Sequence, residues 1–340
     1  MRTQHPFPLY YSLFLLFLSA TTLISPSLGD LGNCNPSDYR ALMSIKKSLH
    51  KPDILDSWVQ NTDCCNNWMG VRCDDKTNRV KELFIIEGEI SGQIPYSVGD
   101  LSYLESLDFR HHKNITGSIP KSITKLKHLK FLELSNMSLS GPIPQSLGQL
   151  TALTFLDLSE NQLSGSIPPS LSNFRHIQTI RLAGNKLTGS IPESFGKLPA
   201  HVSLLFSRNK LTGPLPKSLG SLDFGEIDLS RNKLVGDASM LFNPNHGSTW
   251  VIDLSRNQLE FDFTKVKFPK NLNLLDISHN KIYGRIPEEI KDSENLYTLK
   301  LGYNRLCGKI PTGGIMKHFK STSYLHNKCL CGSPLKISCK

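Results

Sequence analysis

Two groups of residues in this chain have the type and spacing to do chemistry. Six carboxylates, Asp108, Glu133, Asp157, Asp228, Asp253 and Asp276, fall at one place in a phrase that recurs along the sequence, and eight cysteines stand at its two ends. Paired carboxylates can act as acid and base in glycoside hydrolysis. In a regular ladder, however, a separation of roughly 5 Å is what strand spacing imposes, and an open sheet encloses no substrate. No Ser, His and Asp set and no metal motif occurs, so we expect neither an enzyme nor a cofactor. The cysteines are Cys34, Cys64, Cys65 and Cys73 ahead of the repeats and Cys307, Cys329, Cys331 and Cys339 at their close. An even count in a secreted chain argues for disulfides. Four cysteines in each cluster allow three pairings, and spacing does not choose among them. A bond between adjacent Cys64 and Cys65 would be strained, so each should reach outward. Zinc at the CLC of 329 to 331 would need a CxxC pair or a nearby His set, which is lacking.

The elements that position these residues are repeats. Aligned on L-x-x-L-x-L-x-x-N-x-L-x-G-x-I-P, the chain contains ten copies, with Gly88, Lys113, Met137, Asn161, Asn185, Asn209, Asn232, Asn257, Asn280 and Asn304 at the ninth position. A period near 24 residues is that of a leucine-rich repeat, one strand plus one return segment per coil. No coil can bury its apolar face alone, so each must stack on its neighbours. Positions one, four, six and eleven, for example Leu153, Leu156, Leu158 and Leu163, should point inward. Stacked Asn amides can satisfy backbone groups where the chain leaves the strand. Gly165 allows an unusual backbone conformation, and Pro168 with its counterparts stiffens the return segment. Three copies depart from the phrase: the second carries an insertion in HHKNITG, the seventh reads GDASMLF and the eighth has Phe261 in place of Gly. We read these as local repacking.

The ends read as a leader and two caps. Residues 1–29 have the parts of a secretory signal: Arg2 and His5, the apolar run from Leu9 to Ala20, then Ser25 to Gly29. That run falls short of the ~20 residues a bilayer span needs, and no later segment is apolar enough to span. Residues 30–79 form an N-terminal cap, with Ser37 or Asp38 as helix N-cap, Ala41, Leu42, Ile45 and Leu49 at helical spacing, Pro52 as terminator, and Trp58 and Trp68 beneath. Repeats fill 80–317, and 318–340 form a disulfide-tied lid. The net charge is 39 − 29 = +10. In a secreted chain this argues against nucleic acid. It suggests attraction to acidic pectin through Lys121, Lys125, Lys127 and Lys130, with a solvated, solubilising face as the bland alternative.

The segment Ala41 to Cys73 resembles the N-terminal cap of plant extracellular leucine-rich repeat proteins, whose repeats carry LxGxIP. Ten repeats, GDASMLF at Gly236, FDFTKVKF at Phe261 and the ending NKCLCGSPL are similar to those of the polygalacturonase-inhibiting proteins. The resemblance implies an α/β solenoid, a curved right-handed superhelix with a parallel sheet on its concave face. It implies secretion to the plant cell wall and a fungal or insect polygalacturonase as partner. It also implies the pairs Cys34 with Cys64, Cys65 with Cys73, Cys307 with Cys329 and Cys331 with Cys339. Acidic concave residues that resemble Asp108, Glu133, Asp157 and Asp228 face a basic enzyme in that family. Similar chains have been assigned to ice binding and to developmental signalling, so the variable letters must decide the job.

Those letters lie at positions three, five and seven, which alternation turns toward the concave surface, and at position eight on its margin. Position five reads Phe84, Asp108, Glu133, Asp157, Arg181, Leu205, Asp228, Asp253, Asp276 and Lys300. Position eight includes His111, Asn136, Glu160, Arg208, Arg231, Arg256, His279 and Tyr303. Beside a carboxylate column runs an arginine column, and the residues expected to hold a protein partner are Phe131, Glu133, Phe155, Asp157, Ser159, Glu160, Arg181, Arg208, Asp228, Arg231, Asp253, Arg256, Asp276 and His279, with Phe84, Leu205 and Tyr303 as further apolar anchors. The bland alternative is a solvated salt-bridge lattice. Sequons occur at Asn114 and Asn136. A glycan on Asn136 would push docking toward repeats four to nine. Position seven is a run of Ser, including Ser135, Ser159, Ser207, Ser230, Ser255 and Ser278, and a hydroxyl ladder of this kind keeps ice binding as an alternative. A ligand-binding or co-receptor module is the other. We expect a monomer.

Overall fold

The structure, a computed structural model, describes residues 33–86 and 88–339. The leader lies outside the described residues. The chain folds as a leucine-rich repeat solenoid whose concave face is an 11-stranded sheet. Val71–Cys73 opens it, antiparallel to Val80–Ile86. All later pairings in this sheet are parallel, from Val80–Ile86 through Ser106–Arg110 and Phe131–Ser135 to Thr298–Lys300. Register is strict. Leu132 faces Leu156, which faces Ile180, so the inward column stays continuous, and Glu133, Asp157 and Arg181 line up beside it. Leu153, Leu156, Leu158 and Leu163 are fully buried.

The ninth-position amides supply the other half of the stacking. The Asn161 Nδ2 donates to the Leu134 carbonyl of the previous coil at 2.7 Å and to Leu158 O of its own at 3.2 Å, and its Oδ1 accepts from Leu139 N at 3.1 Å. The same pattern recurs from Asn185 to Asn304. In the second coil the alignment had placed Lys113 at this position; Lys113 is exposed, and His112 does the work instead. Its ring nitrogens lie 2.8 Å from the Ile85 carbonyl and 3.2 Å from that of Gly88, and the side chain is buried. The insertion therefore follows the ninth position. The ladder also runs one coil further than the ten copies read from the sequence, because Asn327 bonds the carbonyls of Leu301 and Tyr324 within the C-terminal lid.

Beyond each Asn the chain forms short strands of a second, broken set of parallel sheets, such as Ser140–Pro142, Gln162–Ser166 and Lys186–Thr188. Gly165 sits there at φ 77, where a side chain is strained. The following Pro starts a 3-10 turn, as Pro168 does for Pro169–Asn173. The departures in repeats seven and eight are filled with aromatics: Phe242 contacts Phe261, Phe263 and Phe268 at ring-centroid distances of 6.1 to 6.4 Å.

The N-terminal helix spans Pro36–Ser48. Its N-cap is Asn35, not Ser37 or Asp38: the Asn35 side chain accepts from Ser37 N at 3.0 Å. Pro36 is suited to the first helical position, which puts the cap one residue before it. Asp38 has a different task. Fully buried, it takes two 2.9 Å bonds from the Arg79 guanidinium and one from Val80 N, joining the cap to the first repeat. Trp58 and Trp68 stack beneath the helix at 5.4 Å. The disulfides are Cys34–Cys64, Cys65–Cys73, Cys307–Cys329 and Cys331–Cys339. The sulfurs of Cys34, Cys64 and Cys65 lie close together, but all three are bonded and none is free to hold a metal. Among the described residues no helix is long and apolar enough to cross a membrane.

Candidate functional site

The concave face sets the carboxylates of position five lower than their sequence pattern suggests. Asp157 and Asp276 are 4% and 5% exposed, and Asp108 and Glu133 are buried as well. One reason is local. Where the strand ends, the position-five carboxylate accepts the backbone N–H of position seven: Ser159 N to Asp157 at 2.8 Å, Ser230 N to Asp228 at 2.9 Å, Ser255 N to Asp253 at 2.9 Å and Ser278 N to Asp276 at 3.0 Å. These Asp residues close the strand as well as facing the groove. Cations cover several of them. Arg110 bridges Asp108 at 3.3 Å and Glu133 at 3.7 Å, Arg181 approaches Asp157 at 3.8 Å, and Lys300 pairs with Asp276 at 3.2 Å. Asp253 makes no ion pair among the described residues. Burial, with the neighbouring Asp276 and Asp228 carboxylates, pushes its pKa up to about 6 against the Ser255 hydrogen bonds. Burial and Glu133 push Asp108 up to about 6 as well, and burial and Asp228 raise Glu226.

What meets solvent is chiefly position eight: Glu160, Arg208, Arg231 and Arg256 are exposed, as is Arg181 of position five. Position eight also has a backbone signature that the letters did not announce: His111, Asn136, Glu160, Gly184, Arg208, Arg231, Arg256, His279, Tyr303 and His326 all have φ between 52 and 66. This left-handed turn takes the chain out of the sheet. Apolar contacts cluster at two places. Phe131 and Phe155 stack at 4.5 Å with Arg181 over Phe155 at 5.5 Å, and the rings of His279, Tyr303 and His326 stack in series at 4.0 and 4.2 Å. Near the second lies a concavity of about 330 Å³.

The hydroxyl ladder does not form an open array. Ser135, Ser207, Ser230 and Ser255 are buried, and Ser159 and Ser278 are half-buried. Of the sequons, Asn114 is exposed, whereas Asn136 is half-buried on the concave margin with its side-chain amide on the His111 ring. Of the lysines read as pectin contacts, Lys125 and Lys130 are paired with Asp100 and Glu105. A cationic row went unread: the letter after the ladder Asn is Lys186, Lys210, Lys233, Lys281, Arg305 and Lys328, interrupted by Gln162 and Gln258, and all of these cations but Lys281 are exposed. It was legible as the tenth column of the alignment.

This architecture defines a leucine-rich repeat protein. Residues 35–74 match the model of the leucine rich repeat N-terminal domain, and 128–150, 152–174, 176–198 and 271–293 match the Leucine Rich Repeat model. The chain is 60% identical to a polygalacturonase inhibitor of Pyrus communis, over 98% of this chain and 99% of that one. It is 58% identical to a polygalacturonase inhibitor of Vitis vinifera, over the full length of both. A crystal structure of a plant ice-binding protein superposes with a TM-score of 0.87 at 46% identity, over 91% of this chain and 99% of that one. The chain belongs to the polygalacturonase inhibitor family.

Proposed function

We propose that this protein is a secreted, extracellular inhibitor that binds polygalacturonases through its concave face, and that it acts by binding rather than by catalysis. The observation that carries the reading is full-length similarity, at 58–60% identity, to proteins named polygalacturonase inhibitors. Docking centres on coils four to nine, with Phe155 and Phe131 as apolar anchors and Arg181, Arg208, Arg231 and Arg256 as the charged contacts, over a floor of Asp157, Asp228, Asp253 and Asp276. Fungal and insect enzymes of the cell wall are the targets.

A second ligand is favoured by one specific observation. Cations follow six of the eight ladder Asn, with Gln162 and Gln258 as the gaps, and a linear polyanion such as pectin fits such a row. The test of the main reading is direct. Purified protein is assayed for inhibition against a panel of fungal and insect polygalacturonases, and thermal hysteresis is measured on the same sample. Inhibition without hysteresis is expected; uninhibited enzymes with clear hysteresis would sink the proposal in favour of ice binding, the activity for which the structurally similar plant protein is named.

A further inference from the structure

The concavity near the C-terminal end of the concave face has contents that docking in general does not require. Its lining includes Arg231, Asp253, Arg256, His279, Lys300 and Tyr303. Arg231 and Arg256 leave consecutive coils from the same left-handed backbone, φ 54 and 56, with their N–H groups bonded to the carbonyls of Ser255 and Ser278. Among the described residues neither guanidinium makes an ion pair, although Asp253 and Asp276 lie in the same concavity. Lys300 is engaged by Asp276. Two guanidiniums that line one concavity repel unless an anion joins them.

We propose that this concavity is a carboxylate receptor: an acidic side chain of a protein docked on the concave face enters between Arg231 and Arg256, whose planar forks match two carboxylate oxygens. Tyr303, held in its stack between His279 and His326, walls the site. The proposal rests on reading the face as a docking surface.

Acid strengthens the receptor. Asp253 lies in register between Asp228 and Asp276, with Glu226 on the strand of Asp228, Arg208 one coil before Arg231, and His326 beyond Tyr303. As pH falls through about 6 Asp253 takes up a proton. His279, which burial and then Arg256 hold below its usual value, gains charge at the acid end. Both changes make the concavity more positive, while a ligand glutamate, with an ordinary pKa of about 4.3, stays ionised at pH 5.

The experiment is calorimetric titration of a capped tri-glutamate peptide into the intact secreted protein at pH 5.0 and 7.5. The wild type is compared with the Arg231→Gln/Arg256→Gln double variant, with Asp253→Asn and with Lys76→Gln, an exposed lysine of the N-terminal cap, as control, each checked for folding by circular dichroism. Binding is expected to be about tenfold tighter at pH 5.0 than at 7.5. The double variant should lose about tenfold or more, Lys76→Gln nothing, and Asp253→Asn most of the pH dependence. No binding by the wild type, equal binding by the double variant, or an equal loss in Lys76→Gln would each overturn the proposal. A parallel arm titrates polygalacturonases. If none binds the wild type, the inhibitor reading fails while the peptide result still judges the concavity. If one binds wild type and double variant equally, the receptor falls and the inhibitor reading stands.

Discussion

Asp253 shows how a single residue answers to both fold and function. Its carboxylate accepts the Ser255 N–H that closes the strand, yet it sits between two other carboxylates in register without a cation of its own. A carboxyl pushed up to about 6 binds a proton in the folded state before it does in the unfolded one. Its ionisation therefore costs stability above pH 6, and the cost fades as pH falls toward 4. Asparagine keeps the acceptor oxygen and removes the charge. Asp253→Asn is expected to raise stability at pH 7 by about 1–2 kcal/mol and to leave it nearly unchanged at pH 4. Thermal melts of both proteins across that range check the sign: a variant that is less stable at pH 7 would show that the ionised carboxylate is held favourably.

Elements explain what the letters conceal. The inward leucines, the Asn ladder and the prolines were legible because each is a fixed letter at a fixed period. His112 was not, since HHK offers three polar side chains and only the path of the chain decides which ring reaches the Ile85 carbonyl. The second row of strands escaped because segments such as Ser140–Pro142 are too short to alternate visibly. The left-handed turn at position eight was masked because only Gly184 advertises it. That turn yields a prediction. A non-glycine residue in this conformation costs about 1–2 kcal/mol, partly offset by the chain entropy glycine loses. Arg208→Gly should therefore be more stable than Arg208→Ala by about 0.5–1 kcal/mol, read as the difference between their denaturation midpoints. The cap offers the opposite case. Arg79 holds the fully buried Asp38 with two hydrogen bonds, and Arg79→Ala strands that charge. A loss of about 3–5 kcal/mol is expected. Replacing Asp38 as well by Asn should recover part of it, which separates the stranded charge from lost packing.

At the scale of the molecule, the face presents a sign different from the one its letters spell. Counted along the sequence, position five is mostly acidic. In the fold Asp108, Glu133, Asp157 and Asp276 are buried and Asp228 and Asp253 half-buried, while Arg181, Arg208, Arg231 and Arg256 stand in solvent. The resemblance to inhibitors with an acidic concave face therefore carries the scaffold further than it carries the charge, because burial depends on which side chains the adjacent coils supply. A partner approaching this groove meets a cationic surface on a chain of net charge +10, so the polygalacturonases that it holds best should present acidic residues to it. Exposed charges steer encounter more than they hold the complex together, and salt shortens their reach from about 10 Å at 0.1 M to about 3 Å at 1 M. Raising sodium chloride from 0.05 to 0.5 M is expected to slow association by about tenfold, with a change of about twofold or less in dissociation. Surface plasmon resonance with an inhibited enzyme measures both. If association proves insensitive to salt while dissociation quickens, the stacked Phe131 and Phe155 rings, rather than the arginine column, select the partner.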